Sequence, residues 1–354
     1  MNVDLRALTI CLSCLLAPIS GAAQGFAGLG QSIDGFAVPE RGTAIEFPRD
    51  HGAHPEYRIE WWYLTANLQD AAGNDYGVQW TLFRSATSPA TRTGGRPSWS
   101  SPQIWLGHAG LTTERRHFHA ERWSRGGIGT AGAQAAPFEA WIDEWVLSGN
   151  DDLTELRVAA RGTDFAYDLQ GRADGAIILH GDQGYSVKST AGQASFYFSQ
   201  PHIQVTGTLD LPEGSVDVAG VAWLDREWSS QPLAADQRGW DWFSLHLNSG
   251  DKMMGFRLRG DRDYTAATWI DGDGVATSLA DGALSITPLK TTNVAGRNIP
   301  TEWALSLPEQ GVEVTVQAVN AAAFMDTSFP YWEGPVRVDG SHSGRGYLEM
   351  TGYE

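Results

Sequence analysis

Two segments half a chain apart carry the same pattern. Trp61-Trp-Tyr-Leu-Thr-Ala-Asn-Leu68 runs into a polar turn at 70–75 and then Tyr76–Arg84. Trp240-Asp-Trp-Phe-Ser-Leu-His-Leu247 runs into a polar turn at 248–251 and then Met253–Arg259. Each reads as a hairpin with an aromatic-x-aromatic start and a basic end. The two-residue period of a strand puts Trp61, Tyr63, Thr65 and Asn67 on one face of the first copy. Trp240, Trp242, Ser244 and His246 fall on the matching face of the second. Such a repeat predicts two related β-barrel domains, joined near Leu211–Ser215.

The rest of the chain fits an all-β, antiparallel reading. The 41 Gly and 16 Pro among 354 residues favour frequent turns over long helices. Strands are expected over Leu153–Ala159, Asp164–Leu169, Ala194–Phe198, Ile203–Leu209 and Ser215–Trp223, between turn clusters. Thr112–Trp123 is the one helix candidate of any length. Residues 86–101 read as a long loop. The expected organisation is a signal segment over 1–23, a flexible leader over 24–44, a first domain over 45–213 and a second over 214–354.

The first residues carry an export signal: Arg6, an apolar run from Ala7 to Ile19, and the small residues Gly21-Ala-Ala23. That run is too short to span a bilayer, and no later segment is long and apolar enough. A periplasmic or secreted protein starting near Gln24 is expected. Both cysteines, Cys11 and Cys14, lie inside the signal, so the remainder is expected to hold no disulfide, thiolate metal site or Cys nucleophile. The net charge of −17 opposes contact with nucleic acid or an anionic membrane.

Several segments together resemble the AttH-like/carotenoid hydratase family of secreted lipocalin-like proteins. They are Phe47–Tyr63 (FPRDHGAHPEYRIEWWY), Gly107–Thr112, Val221–Ser229 (VAWLDREWS), Gly239–Leu247 (GWDWFSLHL), Tyr331–Gly334 and Gly346–Gly352. They run in family order from about residue 45 to the C-terminus. The resemblance implies a pair of lipocalin-like (calycin-type) barrels. It also implies kinship with enzymes that add water to a terminal double bond of carotenoids. Fungal lipocalin-like pericyclases look like more distant relatives.

The residues themselves suit alkene hydration, which needs a buried acid that stays protonated near neutral pH and aromatic faces for the resulting cation. Asp241 lies between Trp240 and Trp242, and Glu60 beside Trp61 and Trp62. Asp225 and Glu227 flank Arg226 near Trp223 and Trp228. Asp241 or Asp225 is the expected proton donor, with His51 or His54 orienting water and Glu60 a further candidate. Trp61, Tyr63, Trp240, Trp242, His246 and Tyr331 are the expected ligand contacts. The competing expectation is structural: Asp225-Arg226-Glu227 as an internal ion cluster, and Arg58 paired with Glu60. Likewise His51 and His54 are either loop histidines held by hydrogen bonds, a proton relay or, less simply, metal ligands; no metal is expected.

No cofactor is expected. Gly127-Ile-Gly-Thr-Ala-Gly132 fits a dinucleotide fingerprint but has no βαβ setting, and Asp271-Gly-Asp-Gly274 reads as a hairpin turn. There is no Gly-x-Ser-x-Gly elbow. The leading expectation is therefore acid-catalysed hydration of a small apolar, isoprenoid-like ligand. The alternatives are a non-catalytic carrier of a hydrophobic small molecule, and a secreted hydrolase with a triad assembled from separate strands.

Overall fold

The computed structural model of the chain describes residues 34–89, 101–126 and 129–353. The expected signal segment lies outside the described residues. So do residues 24–33 of the expected leader, most of the 86–101 loop and the first two residues of the Gly127–Gly132 motif. Among the described residues no helix is long and apolar enough to cross a membrane.

The described residues form antiparallel sheets joined by turns. The first sheet has thirteen strands. They are β1 (Ile59–Gln69), β2 (Asp75–Ala86), β3 (Gln103–Thr113), β4 (His117–Arg125), β5 (Ala131–Ala135), β6 (Phe138–Ile142), β7 (Trp145–Gly149), β8 (Glu155–Arg161), β9 (Ala166–Ala173), β10 (Ile178–Leu179), β11 (Tyr185–Val187), β12 (Ala194–Leu211) and β13 (Gly214–Ser229). The second has ten: β14 (Gly239–Leu247), β15 (Lys252–Arg259), β16 (Tyr264–Ile270), β17 (Ala276–Leu279), β18 (Ser285–Val294), β19 (Arg297–Leu307), β20 (Val312–Ala318), β21 (Phe324–Met325), β22 (Tyr331–Gly340) and β23 (Gly344–Met350). The spatial order is β4-β3-β2-β1-β13-β12-β9-β8-β7-β6-β5 in the first and β17-β16-β15-β14-β23-β22-β20-β19-β18 in the second. Each sheet curls into a barrel-like domain around its own apolar core.

Both repeated hairpins form as expected, as β1–β2 and β14–β15. The first closes on an Asx turn, in which Asp70 Oδ1 accepts from the backbone N–H groups of Ala72 and Asn74, both at 2.9 Å. Gly73 sits there at φ +83°, where a side chain would be strained. Asp271–Gly274 is the turn between β16 and β17, with Gly274 N–H donating to Asp271 O at 2.9 Å.

Three expectations change. The helix candidate Thr112–Trp123 is the end of β3, a bend and most of β4. Thr113 Oγ1 accepts from the N–H groups of Arg115 and Arg116, which turns the chain back on itself. The join expected at 213/214 is the tight connection between β12 and β13, and β13 pairs with both β12 and β1 in the first sheet. The sheets therefore change over between Ser229 and Gly239, because the alternation of β13 continues to Ser229 and gives β1 its partner. Residues 34–44 of the leader have no regular element but are tied down. Ala37 N–H donates to Glu56 O at 3.0 Å, and Arg41 pairs with Asp182.

Strand alternation sorts the repeated motifs between two environments. Trp62, Leu64, Ala66 and Leu68 enter the first core, and Phe243, Leu245 and Leu247 the second. Tyr63, Tyr197 and Trp223 point the other way and meet Trp242, Met254, Phe256 and Tyr347 in a third apolar cluster where the two sheets face each other. The two barrel-like domains are thus packed interiors, and the space between them is where a site forms.

Candidate functional site

Register aligns one row of protic side chains across six strands of the first sheet. Ser199 (β12) stands opposite Asp225 (β13), Asp225 opposite Tyr63 (β1), Tyr63 opposite Thr81 (β2), Thr81 opposite His108 (β3) and His108 opposite Glu121 (β4). Two residues along, the next row on the same face is Tyr197, Glu227, Trp61, Phe83, Leu106 and Trp123. The second sheet answers with Phe256, Trp242, Glu349 and Glu333 across β15, β14, β23 and β22. Between these surfaces lies a cavity of about 320 Å³, mostly apolar, lined by Asp225, Glu227, Glu349, His108, Lys188 and a set of aromatic rings. That volume suits a small ligand.

Asp225 is the best-placed acid. It is buried, and Ser199 Oγ and Trp223 Nε1 (2.8 Å) both donate to its Oδ1. Burial among apolar neighbours lifts its pKa from 3.8 to about 7 against those hydrogen bonds. Ser199 is held from behind by His180 Nε2 at 2.6 Å, while His180 Nδ1 reaches Thr268 Oγ1 of the second sheet at 2.8 Å. Burial holds the His180 ring down at about 3, so it is neutral. Trp242 Nε1 donates to Tyr197 Oη at 3.0 Å, which orients the hydroxyl beside Asp225.

Glu349 faces the same cavity from β23. Trp240 Nε1 donates to its Oε1 at 2.5 Å, yet burial and the nearby Asp225 and Glu227 charges raise its pKa from 4.5 to about 7. Glu333, its neighbour across β22–β23, is buried, lies beside the hydroxyls of Tyr63 and Tyr331, and is pushed well above the ordinary range by burial and by Glu349. Glu227 differs: Lys188 Nζ pairs with it at 2.8 Å, and that ammonium lies 4.8 Å from the Tyr197 ring centre and 4.4 Å from that of Phe256.

At the other end of the row, His108 Nε2 lies 3.1 Å from Glu121 and its Nδ1 3.0 Å from Tyr331 Oη. These partners assign Nε2–H donating to the carboxylate and Nδ1 accepting from the tyrosine. Burial lowers the His108 pKa against the pull of Glu121. Burial also disfavours ionised Glu121, but hydrogen bonds from His108 and Ser328 outweigh it and hold the carboxyl at about 2.

Of the residues expected to be catalytic from the sequence (Asp241, Asp225, His51, His54 and Glu60), Asp225 alone lines this cavity. Asp241 points into the second core, where Arg257 donates to it at 2.7 and 2.9 Å, Tyr353 Oη at 2.8 Å, and Arg259 lies at 3.3 Å. Glu60, fully buried, faces the first core between Arg84 and Arg226. Burial opposes its ionisation, but the Arg226 and Arg84 charges prevail and hold it far below the usual range. His54 joins that cluster, 3.1 Å from Glu60 and 3.2 Å from Asp50, stacked on Trp228 at 4.1 Å. His51 Nε2 meets Asp151 O at 3.0 Å, and burial drops its pKa to about 4. Among the described residues no group of three His, Cys, Asp or Glu side chains is placed to hold a metal ion.

The residues expected to contact a ligand divide. Trp61, Tyr63, Trp240, Trp242 and Tyr331 all line the cavity. His246 does not; it is half-buried beside Trp223 with Nε2 2.9 Å from Pro201 O. The expected Asp225-Arg226-Glu227 cluster is split, because alternation sends Arg226 to the opposite face from its neighbours. Arg226 pairs with Glu60, and Glu227 with Lys188. Arg58 reaches Ser230, its N–H donating to Oγ at 3.2 Å. Glu349, Glu333, Lys188 and the His108–Glu121 pair were not singled out from the sequence. The period-two rule was the available signal: it puts Glu349 on the face of Tyr347 and Glu333 on that of Tyr331.

The sequence finds no match among curated proteins. Among solved structures, a protein of Nitrosomonas europaea assigned to AttH (NE1406) is 31% identical, with a TM-score of 0.80 over 90% of this chain and 99% of that one. Kievitone hydratase from Nectria haematococca is 15% identical, with a TM-score of 0.64 over 90% of this chain and 98% of that one. CghA, solved with Sch210972, is 11% identical, with a TM-score of 0.56 over 91% and 97%. The last two similarities concern the fold. The sequence profile of the AttH-like family matches residues 38–353, and the chain belongs to that family.

Proposed function

We propose that this AttH-like protein binds a small apolar, isoprenoid-like ligand between its two sheets and adds water to a double bond of that ligand by acid catalysis. The observation that carries this is the pairing of Asp225, buried, and Glu349, half-buried, two carboxyls with pKa values raised to about 7, in one aromatic cavity. A buried neutral acid is what protonation of an alkene requires at neutral pH. The fold shared with a protein named kievitone hydratase supports the same chemistry.

In this scheme the Asp225 proton passes to the less substituted alkene carbon, and the π electrons form the new C–H bond. The cation left on the other carbon sits against the faces of Trp61, Trp240 and Trp242. Water adds to it, and the excess proton of the oxonium returns to the Asp225 carboxylate, so the acid is regenerated and the net change is alkene plus water to alcohol. Lys188 with Glu227, and Ser199 with His180, hold the surroundings of the acid in place. The N-terminal sequence adds the proposal that this chemistry takes place outside the cytoplasm.

Incubation of the purified protein with isoprenoid alkenes in heavy water tests the reading. One deuterium should appear on carbon per hydroxyl gained, and Asp225→Asn should abolish that incorporation. Retained quenching of tryptophan fluorescence by the same alkenes, with no deuterium incorporated, would instead assign the cavity to a carrier.

A further inference from the structure

We propose that Glu121, His108 and Tyr331 form a proton path between solvent and the buried carboxyl of Glu333, which stores a proton next to the acids of the cavity. The proposal deepens the acid chemistry above by assigning its proton supply, but its geometry and its test need no substrate.

The path starts at the surface. Glu121 is partly exposed, its side chain retaining 21% of its accessibility, and Ser328 holds it through N–H at 3.0 Å and Oγ at 2.8 Å. His108 is buried, and its two ring nitrogens bridge Glu121 and Tyr331 at 3.1 and 3.0 Å. Its ring also stacks on that of Tyr331, with centres 5.6 Å apart, while Phe83 packs against it edge-on at 5.5 Å. The imidazole is therefore fixed between its two partners. The Tyr331 hydroxyl in turn faces Glu333, as does that of Tyr63.

Glu333 is the unexplained group that the path serves. Its residue is only 1% exposed, and neither carboxyl oxygen has a formed hydrogen bond; the Tyr63 hydroxyl is also unpaired. A carboxylate buried without a cation or donor is costly, whereas a neutral acid is tolerable. Glu333 stands opposite Glu349 across β22–β23, where two anions would repel, so the pair favours holding a proton on at least one of its members. A buried acid in this position needs a route to exchange its proton, and Tyr331 is the neighbour that already belongs to a chain leading outward.

Transfer along that chain balances. With His108 carrying its proton on Nδ1, a protonated Glu121 gives its proton to Nε2, Nδ1 gives its proton to Tyr331 Oη, and Tyr331 gives its own to the Glu333 carboxylate. Three bonds to hydrogen break and three form, and His108 ends in the tautomer that its partners now assign. Outward transfer is the reverse. The Tyr331–Glu333 link is not formed at rest and closes by rotation of the Glu333 carboxyl toward the tyrosine oxygen.

Infrared spectroscopy reads this directly. The difference between wild type and Glu333→Gln isolates the carbonyl stretch of the Glu333 carboxylic acid, which shifts when O–H becomes O–D on transfer to heavy water. Exchange should slow by about tenfold or more in Tyr331→Phe and His108→Phe, and also in Glu121→Gln. Arg157→Met, on the exposed face of β8 where the guanidinium pairs with Asp168, should exchange at the wild-type rate. If His108→Phe does not fold, Tyr331→Phe, which removes one oxygen, carries the test. An unchanged rate in Tyr331→Phe, or a carboxylate band in place of the acid band, overturns the proposal. Neither result bears on whether an alkene is hydrated, and lack of hydratase activity leaves the exchange rates informative.

Discussion

Asp225 and Arg226 are adjacent in the chain and serve opposite sides of one sheet. Asp225 faces the cavity between the sheets with no cation paired to it among the described residues, while Arg226 faces the first core and closes on Glu60. Each environment would be untenable for the other residue. Asp225 is tolerated because it stays protonated; Arg226 is tolerated because Glu60 neutralises it and the rings of Trp62 and Trp228 lie 3.8 and 5.1 Å from its guanidinium carbon. Strand alternation thus separates an acid with a raised pKa from the permanent cation that would otherwise lower it.

That separation makes stability pH-dependent. The folded pKa values of Asp225 and Glu349, about 7, lie above their ordinary values of 3.8 and 4.5. The stabilisation linked to a raised pKa is complete below the unfolded value and is lost as pH rises through the folded one. Unfolding free energy should therefore fall between about pH 4 and pH 7, by roughly 4 kcal/mol for Asp225 and roughly 3 kcal/mol for Glu349. Urea denaturation at several pH values checks this. Asp225→Asn, which mimics the neutral acid, should flatten its share of the slope and be the more stable protein at pH 8.

The same protonation controls the proposed reaction. Turnover needs neutral Asp225, so its rate should fall above about pH 7, tenfold per unit once one group is ionised. Loss of the acid in Asp225→Asn should cost about 10²–10⁴-fold in kcat. A flat profile from pH 6 to pH 9 would remove Asp225 from the role. Initial rates across that range, at saturating alkene, make the measurement.

The Glu60 cluster should behave as structure. Arg226→Met leaves Glu60 with Arg84 and His54 but without the guanidinium that bridges to Gly52 O. Removing one partner from a buried ion pair typically costs about 3–5 kcal/mol. Thermal and urea denaturation should show a loss of that order. Heteronuclear spectra of the remaining folded protein should show its largest shifts around β1 and the 50–54 segment.

Much of this was legible in the sequence, for a local reason. Period-two alternation depends only on neighbours along a strand, so it placed Trp61 and Tyr63 on one face and Trp240 and Trp242 on the matching face of the other sheet. It also set Asp241 opposite its flanking indoles. What local pattern does not encode is which sheet face meets which. The ion partners of Asp241 lie on β15, and that of Glu227 lies in the segment after β11. Glu349 owes its raised pKa to burial between the sheets and, beyond that, to Asp225 and Glu227, more than a hundred residues away in sequence. The helix candidate at 112–123 failed similarly, since its ambiguous period was settled by the pairing of β4 with β3 and by Thr113 capping the bend.

Exchanging the acids one at a time distinguishes the cavity from the second core. Asp241 is fully buried, with Arg257, Arg259 and Tyr353 around it. Asp241→Asn should remove the buried counter-charge shared by Arg257 and Arg259, leaving Arg257 only the more exposed Asp263 at 3.9 Å, and destabilise the fold by about 3 kcal/mol or more. The folded fraction should still bind an apolar probe with near wild-type affinity, because Trp240 and Trp242 face the other way. Glu349→Gln should do the reverse: it preserves a neutral group at a site where burial already favours neutrality, keeps an acceptor for Trp240 Nε1, and changes the cavity wall. Its stability at pH 8 should match or exceed that of wild type, while turnover drops. Urea denaturation paired with fluorescence titration of an apolar probe and an initial-rate assay separates the cases. A stable but inactive Asp241→Asn protein, beside a fully active Glu349→Gln, would move the acid chemistry from the space between the sheets to the interior of the second barrel.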